Sequence, residues 1–150
     1  MRTAIPRQFG FSTCFACGPD NLRGLRLVFE KDGDSVVTTF TPPLEYGGYG
    51  IILHGGVTST LLDEAMAWAV YGLLNRLSLT TELQIRFLGP VRCGDALTVV
   101  GSIVSTNDEG ATTRAEVRDS SGVVRAEGSG TMRFLSERAA ARMARVATPA

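Results

Sequence analysis

Two patterns of apolar and polar residues alternate along this chain, and each predicts a different kind of element. From residue 55 to about residue 75 nearly every position is apolar, which predicts a long helix that is buried almost all round. On both sides of it the apolar residues recur with a period of two, or in short runs bounded by turn residues, and this pattern is typical of strands. The chain therefore predicts one helix between two sets of strands.

Six strands are expected. Two precede the helix, at residues 25–30 and 35–41, and a hairpin turn joins them. Four follow it, at about residues 79–88, 96–105, 112–119 and 123–134. Successive hairpins would join these four strands without long crossovers. An antiparallel sheet with a helix on one face belongs to the α+β class.

The expected organisation is a single domain with two short appendages. Residues 25–135 hold the sheet and the helix, and 150 residues suffice for one core. Residues 1–24 are rich in turn residues, so we expect an irregular segment docked on the domain. Residues 136–150 predict a short helix that ends in a tail.

Charge and composition exclude several classes of function. Lys and Arg total 15, as do Asp and Glu, so the formal net charge is zero, and no basic surface for nucleic acid or a membrane is indicated. Asp63 and Glu64 interrupt the one apolar stretch long enough to span a bilayer. The first 13 residues lack the apolar core of a secretory signal. We expect a cytoplasmic protein with no membrane or nucleic-acid partner.

Cys14 and Cys17 form a CxxC motif in the N-terminal segment. The chain has three cysteines, an odd number that does not favour a disulfide framework. The motif supplies half of a zinc site, but a closed site needs four ligands and there is no second pair. Cys93 and His54, or a second chain, could complete it. The favoured interpretation is a tight docked loop, so we expect no metal and no cofactor.

Three segments resemble a known family: CFACGPDNLRGLRL (14–27), YGIILHGGVTSTLLDEAMAWA (49–69) and TTELQIRFLGPVRCGD (80–95). They are similar to the hotdog-fold acyl-CoA thioesterases, in particular the PaaI-like branch of the 4-hydroxybenzoyl-CoA thioesterase superfamily. The specific feature is HGG followed by an aspartate seven residues after its last glycine. The resemblance implies a hotdog fold, in which a curved antiparallel sheet wraps one long central helix. It also implies a homodimer or a dimer of dimers.

The same resemblance implies hydrolysis of an acyl-CoA thioester. Gly55 and Gly56 leave the N–H groups at the helix start sterically open, so these groups can stabilise an oxyanion. Asp63 would act as general base or as nucleophile. Eight helical residues span about 12 Å, so one carbonyl group cannot reach both Gly55 and Asp63 of one chain. We therefore expect sites shared between the two subunits of a C2 dimer.

Other candidate residues have both a functional and a structural interpretation. His54 either orients the substrate carbonyl or caps the helix and the loop before it. Thr80 and Thr81 match positions where relatives place a hydroxyl that steadies the water or the carboxylate, although threonine simply favours strands as well. Gly48 lies in a glycine-rich loop where the backbone can approach the substrate closely, but this loop lacks the amide side chain found in some relatives.

Glu64 is a candidate substrate-binding residue, although a buried or dimer-interface hydrogen bond, for example with Arg86, is the favoured interpretation. Two other functions remain open on the same fold. A hotdog dehydratase would pair His54 with Glu64 as acid and base, although the HGG spacing departs from the dehydratase pattern. A non-catalytic acyl-CoA binding module would need the pocket without the carboxylate.

Overall fold

One long helix lies against a seven-stranded antiparallel sheet in the computed structural model of the chain, which describes residues 1–7 and 11–146. The strands are β1 Thr3–Ala4, β2 Glu30–Asp32, β3 Ser35–Phe40, β4 Ser78–Phe87, β5 Leu97–Thr106, β6 Gly110–Arg118 and β7 Val124–Phe134. The helices are α1 Gly55–Leu74 and α2 Glu137–Val146, and a short 3₁₀ turn covers Leu44–Tyr46. The predicted α+β class is confirmed.

The order of strands in the sheet is β1-β2-β3-β5-β6-β7-β4. The hairpins β5–β6 and β6–β7 agree with the prediction, but the hairpin expected between β4 and β5 is wrong, because β4 pairs with β7 at the far edge. The connection after β4 explains the difference. It pairs with the loop before α1, through Val91 O with Leu53 N–H at 2.8 Å and through Cys93 N–H with Ile51 O at 2.8 Å. After this connection the chain enters β5, which pairs with β3 and not with β4.

The strand expected over residues 25–30 also differs from the structure. Ladder pairing begins only at Glu30, while Leu25 and Leu27 donate their N–H groups to Phe15 O and Ala16 O, at 2.9 Å each. The N-terminal loop thus takes the place of a neighbouring strand. The segment predicted as irregular also contains β1. Residues 8–10 and 147–150, parts of the predicted N-terminal segment and C-terminal tail, lie outside the described residues.

The core lies between α1 and the concave face of the sheet. Six apolar side chains of α1 are 0% exposed, namely Leu61, Leu62, Ala65, Met66, Ala69 and Val70. Gly101 of β5 lies directly against the helix backbone, because a Cβ there would clash with the carbonyl of Ala65. The helix can approach the sheet closely for this reason. None of the described helices is long and apolar enough to cross a membrane; the cytoplasmic location stays a prediction.

Strand β4 forms an open edge of the sheet. It is ten residues long and pairs with β7 on one side, so its other side has unpaired backbone groups. Leu79, Leu83 and Phe87 of this strand are 49%, 37% and 57% exposed. A long apolar edge of this kind is a surface on which a further strand can pair.

Candidate active site

A tight loop fixes the start of α1. Gly48 N–H donates to Ile52 O at 2.7 Å, and His54 N–H donates to Tyr46 O at 3.0 Å. Between them Gly50 has a φ of +54°, in the left-handed region that favours glycine. The glycine-rich sequence is therefore required to turn the chain sharply before the helix begins.

His54 is the N-cap of α1. Its Nδ1 accepts the N–H of Gly56 at 2.8 Å, and its carbonyl oxygen accepts the N–H groups of Val57 and Thr58. The N–H of Gly55 has no acceptor among the described residues. The capping role considered for His54 is thus present, and of the two glycines Gly55 is the one whose N–H faces outward.

A cavity of about 240 Å³ lies at this end of the helix. Gly48, Gly55, His54 and Phe87 are among its lining residues. A Cβ placed on Gly55 would lie 3.6 Å from the Phe87 ring, an ordinary contact distance. The Gly55 N–H therefore borders a small cavity between the loop, the helix start and the end of β4. No sequence pattern indicated that Phe87 would lie beside it.

Asp63 lies two turns further along α1, half-buried beside the start of β4. Its Oδ1 accepts the Thr80 hydroxyl at 2.6 Å. The ladder between β4 and β7 is irregular between Thr80 and Glu82, and the Thr81 hydroxyl donates instead to Thr131 O at 3.1 Å. Of the two candidate threonines, Thr80 is the one that contacts the carboxylate, and Thr81 points to another part of the sheet.

Glu64 lies in a different environment from Asp63. Its Oε1 accepts the indole N–H of Trp68 at 3.0 Å and lies 3.9 Å from Cys14 Sγ. Burial, and then the charge of Cys14, raises the pKa of Glu64 to about 7. Within the described part of the chain Arg86 instead forms an exposed ion pair with Glu127 at 3.2 Å, and a pairing of Glu64 with Arg86 across a dimer interface stays a prediction.

The two N-terminal cysteines complete this second cluster. Cys14 Sγ accepts the N–H of Cys17 at 3.5 Å. The hydrogen bond from the Cys17 thiol lowers the pKa of Cys14, and the same bond raises the pKa of Cys17. Arg7 Nη1 lies 3.6 Å from Cys17 Sγ, and its guanidinium lies over the Trp68 ring at 5.5 Å. The cluster borders a mostly apolar cavity of about 440 Å³. No sequence pattern pointed to Arg7.

This architecture, a sheet wrapped round a helix that carries an open N–H at its start and a carboxylate two turns on, defines a hotdog protein. The family model described as "Thioesterase superfamily" matches residues 50–126. The chain belongs to the Thioesterase superfamily. The matched range contains the HGG motif and Asp63. The predicted resemblance to the PaaI-like hotdog thioesterases is confirmed.

Among curated proteins, an uncharacterized protein of Schizosaccharomyces pombe is 33% identical over 72 residues. The aligned region covers 47% of this chain and 41% of the relative. The chain thus matches less than half the length of that relative.

Solved structures share the fold over most of the chain. A thioesterase superfamily protein is 25% identical with a TM-score of 0.76, covering 87% of this chain and 68% of its own. The Escherichia coli PaaI protein from the phenylacetic acid degradation operon is 21% identical with a TM-score of 0.69. The match covers 75% of this chain and 81% of that protein. A hypothetical thioesterase of Streptococcus pneumoniae with coenzyme A is 23% identical with a TM-score of 0.68. The match covers 73% of this chain and 86% of that protein. These likenesses establish the hotdog fold.

Proposed function

We propose that this protein is an acyl-CoA thioesterase whose active site is shared between two subunits. The observation that carries the proposal is the pairing of Asp63 with Thr80 beside the open edge of the sheet, together with the outward N–H of Gly55. Thioester hydrolysis needs a donor for the developing oxyanion and a group that activates or replaces water. This chain offers both groups.

The Gly55 N–H is the donor for the carbonyl oxygen of the thioester. It lies at the positive end of the α1 dipole, where developing negative charge is stabilised. His54 already engages the Gly56 N–H, so we assign the oxyanion to Gly55 and a positioning role to His54. The backbone of Gly48 lines the same cavity and limits how the carbonyl group can approach.

Asp63 is the general base or the nucleophile. The Thr80 hydroxyl occupies one carboxylate oxygen at 2.6 Å, which orients the group and leaves the second oxygen for the reaction. As a base, that oxygen takes a proton from water, the hydroxide adds to the carbonyl carbon, and the thiolate of coenzyme A leaves. As a nucleophile, it attacks the carbonyl carbon, the C–S bond breaks and the thiolate of coenzyme A leaves, and water then hydrolyses the resulting mixed anhydride to the acid and the free Asp63 carboxylate.

Two subunits are needed because Gly55 and Asp63 of one chain are about 12 Å apart along the helix. Both lie beside β4, with Phe87 at the Gly55 end and Thr80 at the Asp63 end. If the β4 edges of two chains pair antiparallel about a twofold axis, each Gly55 is brought towards the Asp63 of the other chain. The exposed apolar residues of β4 support this pairing.

Coenzyme A is the proposed carrier of the acyl group, because the pneumococcal neighbour with the same fold is described with coenzyme A. The remaining candidates contribute less to this site. Thr81 points to Thr131, and Glu64 borders the larger cavity on another side of the helix. We therefore propose Gly48 as the substrate-contacting residue among the three that the sequence suggested.

Thiol release from a panel of acyl-CoAs, measured for the wild type and for Asp63→Asn, tests the proposal. Asparagine keeps the size of the side chain and an oxygen for the Thr80 hydroxyl, but it cannot act as a base. We expect turnover to fall by about 10²–10⁴-fold with an unchanged oligomeric state in light scattering. Hydrolysis at the wild-type rate by the folded variant would contradict it, as would a wild type that is active as a monomer.

The same panel separates the alternatives. A dehydratase would change the absorbance of an enoyl thioester without releasing thiol, and it would need His54 as an acid or base. The Nδ1 atom of this residue is occupied by the Gly56 N–H. A binding module would retain acyl-CoA in equilibrium dialysis without releasing thiol from any member of the panel.

A further inference from the structure

The CxxC motif and Glu64 converge at one point that the proposed thioester reaction does not use. Cys14, Cys17 and Glu64 each offer one ligand atom, and the three atoms lie within 4.8 Å of one another. The sulfurs come from the N-terminal loop and the oxygen from the middle of α1, so the fold brings together groups 50 positions apart. We propose that these three residues bind one zinc ion.

The distances suit zinc after a small movement of the side chains. Zinc binds cysteine sulfur at about 2.3 Å and carboxylate oxygen at about 2.0 Å, so a sulfur and an oxygen on one tetrahedral ion lie about 3.5 Å apart. Cys14 Sγ and Glu64 Oε1 are 3.9 Å apart. The two atoms therefore need to approach each other by only about 0.4 Å to bind the same ion.

The loop is already folded around the first sulfur. The N–H of Cys17 points at Cys14 Sγ at 3.5 Å, and the N–H of Gly18 donates to Cys14 O at 2.8 Å. A Cβ on Gly18 would lie 2.5 Å from the backbone nitrogen of Cys14, so the turn closes only with glycine at this position. Backbone N–H groups directed at a thiolate stabilise it as a metal ligand.

The charges of the cluster balance once zinc is present. Two thiolates and one carboxylate carry three negative charges, so a bound divalent ion leaves the cluster with a net charge of −1. Arg7 supplies the remaining positive charge, with Nη1 at 3.6 Å from Cys17 Sγ. Trp68 donates its indole N–H to Glu64 Oε1 at 3.0 Å and so orients the carboxylate, as outer-shell partners of metal sites do. Charges at such a half-buried site are stable only when they are compensated.

The fourth ligand comes from solvent. The three ligand residues line the cavity of about 440 Å³, together with Arg7 and Trp68. A water molecule can therefore reach the ion from the cavity and complete the tetrahedron. The sequence contains no second cysteine pair and so predicted no metal, but the fold supplies Glu64 as a further ligand.

The experiment uses tag-free full-length protein purified in reducing buffer without chelator, with zinc measured by elemental mass spectrometry after dialysis. We expect about one zinc per chain in the wild type. Cys14→Ser and Cys17→Ser should lose it, while Cys93→Ser is the matched control and should keep it, since Cys93 lies outside the cluster. Equal zinc in all four proteins, or none in the wild type after incubation with zinc, would overturn the proposal.

Cobalt gives a second readout that does not depend on the cysteine variants folding. Cobalt added to the zinc-free wild type should produce sulfur-to-metal charge-transfer bands and quench Trp68, the one tryptophan of the chain. Glu64→Gln should weaken zinc binding by at least the 10–100-fold typical of an outer-shell partner. Cobalt without charge-transfer bands would overturn the assignment, as would a Cys14–Cys17 disulfide that forms in place of metal uptake.

Discussion

Asp63 and Glu64 are neighbours in the sequence, but they lie against different parts of the molecule. Asp63 faces the open edge strand, where the Thr80 hydroxyl holds one of its oxygens. Glu64 faces the N-terminal loop, where it meets Trp68 and Cys14. Adjacent residues of a helix do not share a face, so one helix can serve two sites with consecutive carboxylates. The local partner, and not the type of residue, decides what each carboxylate can do.

The largest expected effect separates the two carboxylates. Asp63→Asn should reduce kcat by about 10²–10⁴-fold and leave the zinc content unchanged. Glu64→Gln should reduce zinc affinity and change kcat far less, because its side chain is bonded to Trp68 and borders the cavity beside the N-terminal loop, away from the open edge of β4. Steady-state thiol release and elemental analysis on the same preparations measure both effects. If the two variants lost activity to the same extent, the carboxylates would act as a single unit.

Gly55 provides the next test, at the other end of the site. Gly55→Pro removes the N–H while keeping the helix, because proline is favoured at the first helical position and the ψ of His54, 133°, lies in the range preferred before proline. Loss of one oxyanion donor costs about 10²–10³-fold in kcat. Gly55→Ala is the matched control, since it keeps the N–H and its Cβ makes an ordinary 3.6 Å contact with Phe87. Equal activity of the two variants would remove Gly55 from the mechanism.

Mixing two inactive variants tests whether the site is shared. Asp63→Ala retains Gly55, and Gly55→Pro retains Asp63, so a mixed dimer contains one complete site if each site takes one residue from each chain. Co-refolding equal amounts should restore about a quarter of wild-type activity, since half of the dimers are mixed and each has one of two sites intact. Each variant refolded alone is the control. No recovery in verified mixed dimers would place both residues of a site in the same chain.

Part of this arrangement could be predicted from the sequence because its signals are local. The apolar run defined α1, and the HGG motif placed Gly55 and Asp63 within it. The position of β4 was not predictable, because it depends on the connection from β4 to β5 pairing with the loop before the helix. The cluster of Glu64 with Cys14 was not predictable either. The two residues are 50 positions apart, and no periodicity or spacing relates them.

The smallest expected effect distinguishes the two threonines that the sequence could not separate. Thr80→Val removes the hydroxyl that holds Asp63 at 2.6 Å and should lower kcat about tenfold, the equivalent of one hydrogen bond to the carboxylate. Thr81→Val removes a hydroxyl that donates to Thr131 O, so it should change kcat by less. Both substitutions keep the branched shape that favours a strand. If Thr80 orients the carboxylate and does not bind substrate, as proposed, the loss should appear in kcat with KM nearly unchanged. A rise in KM alone would instead place the Thr80 hydroxyl on the substrate.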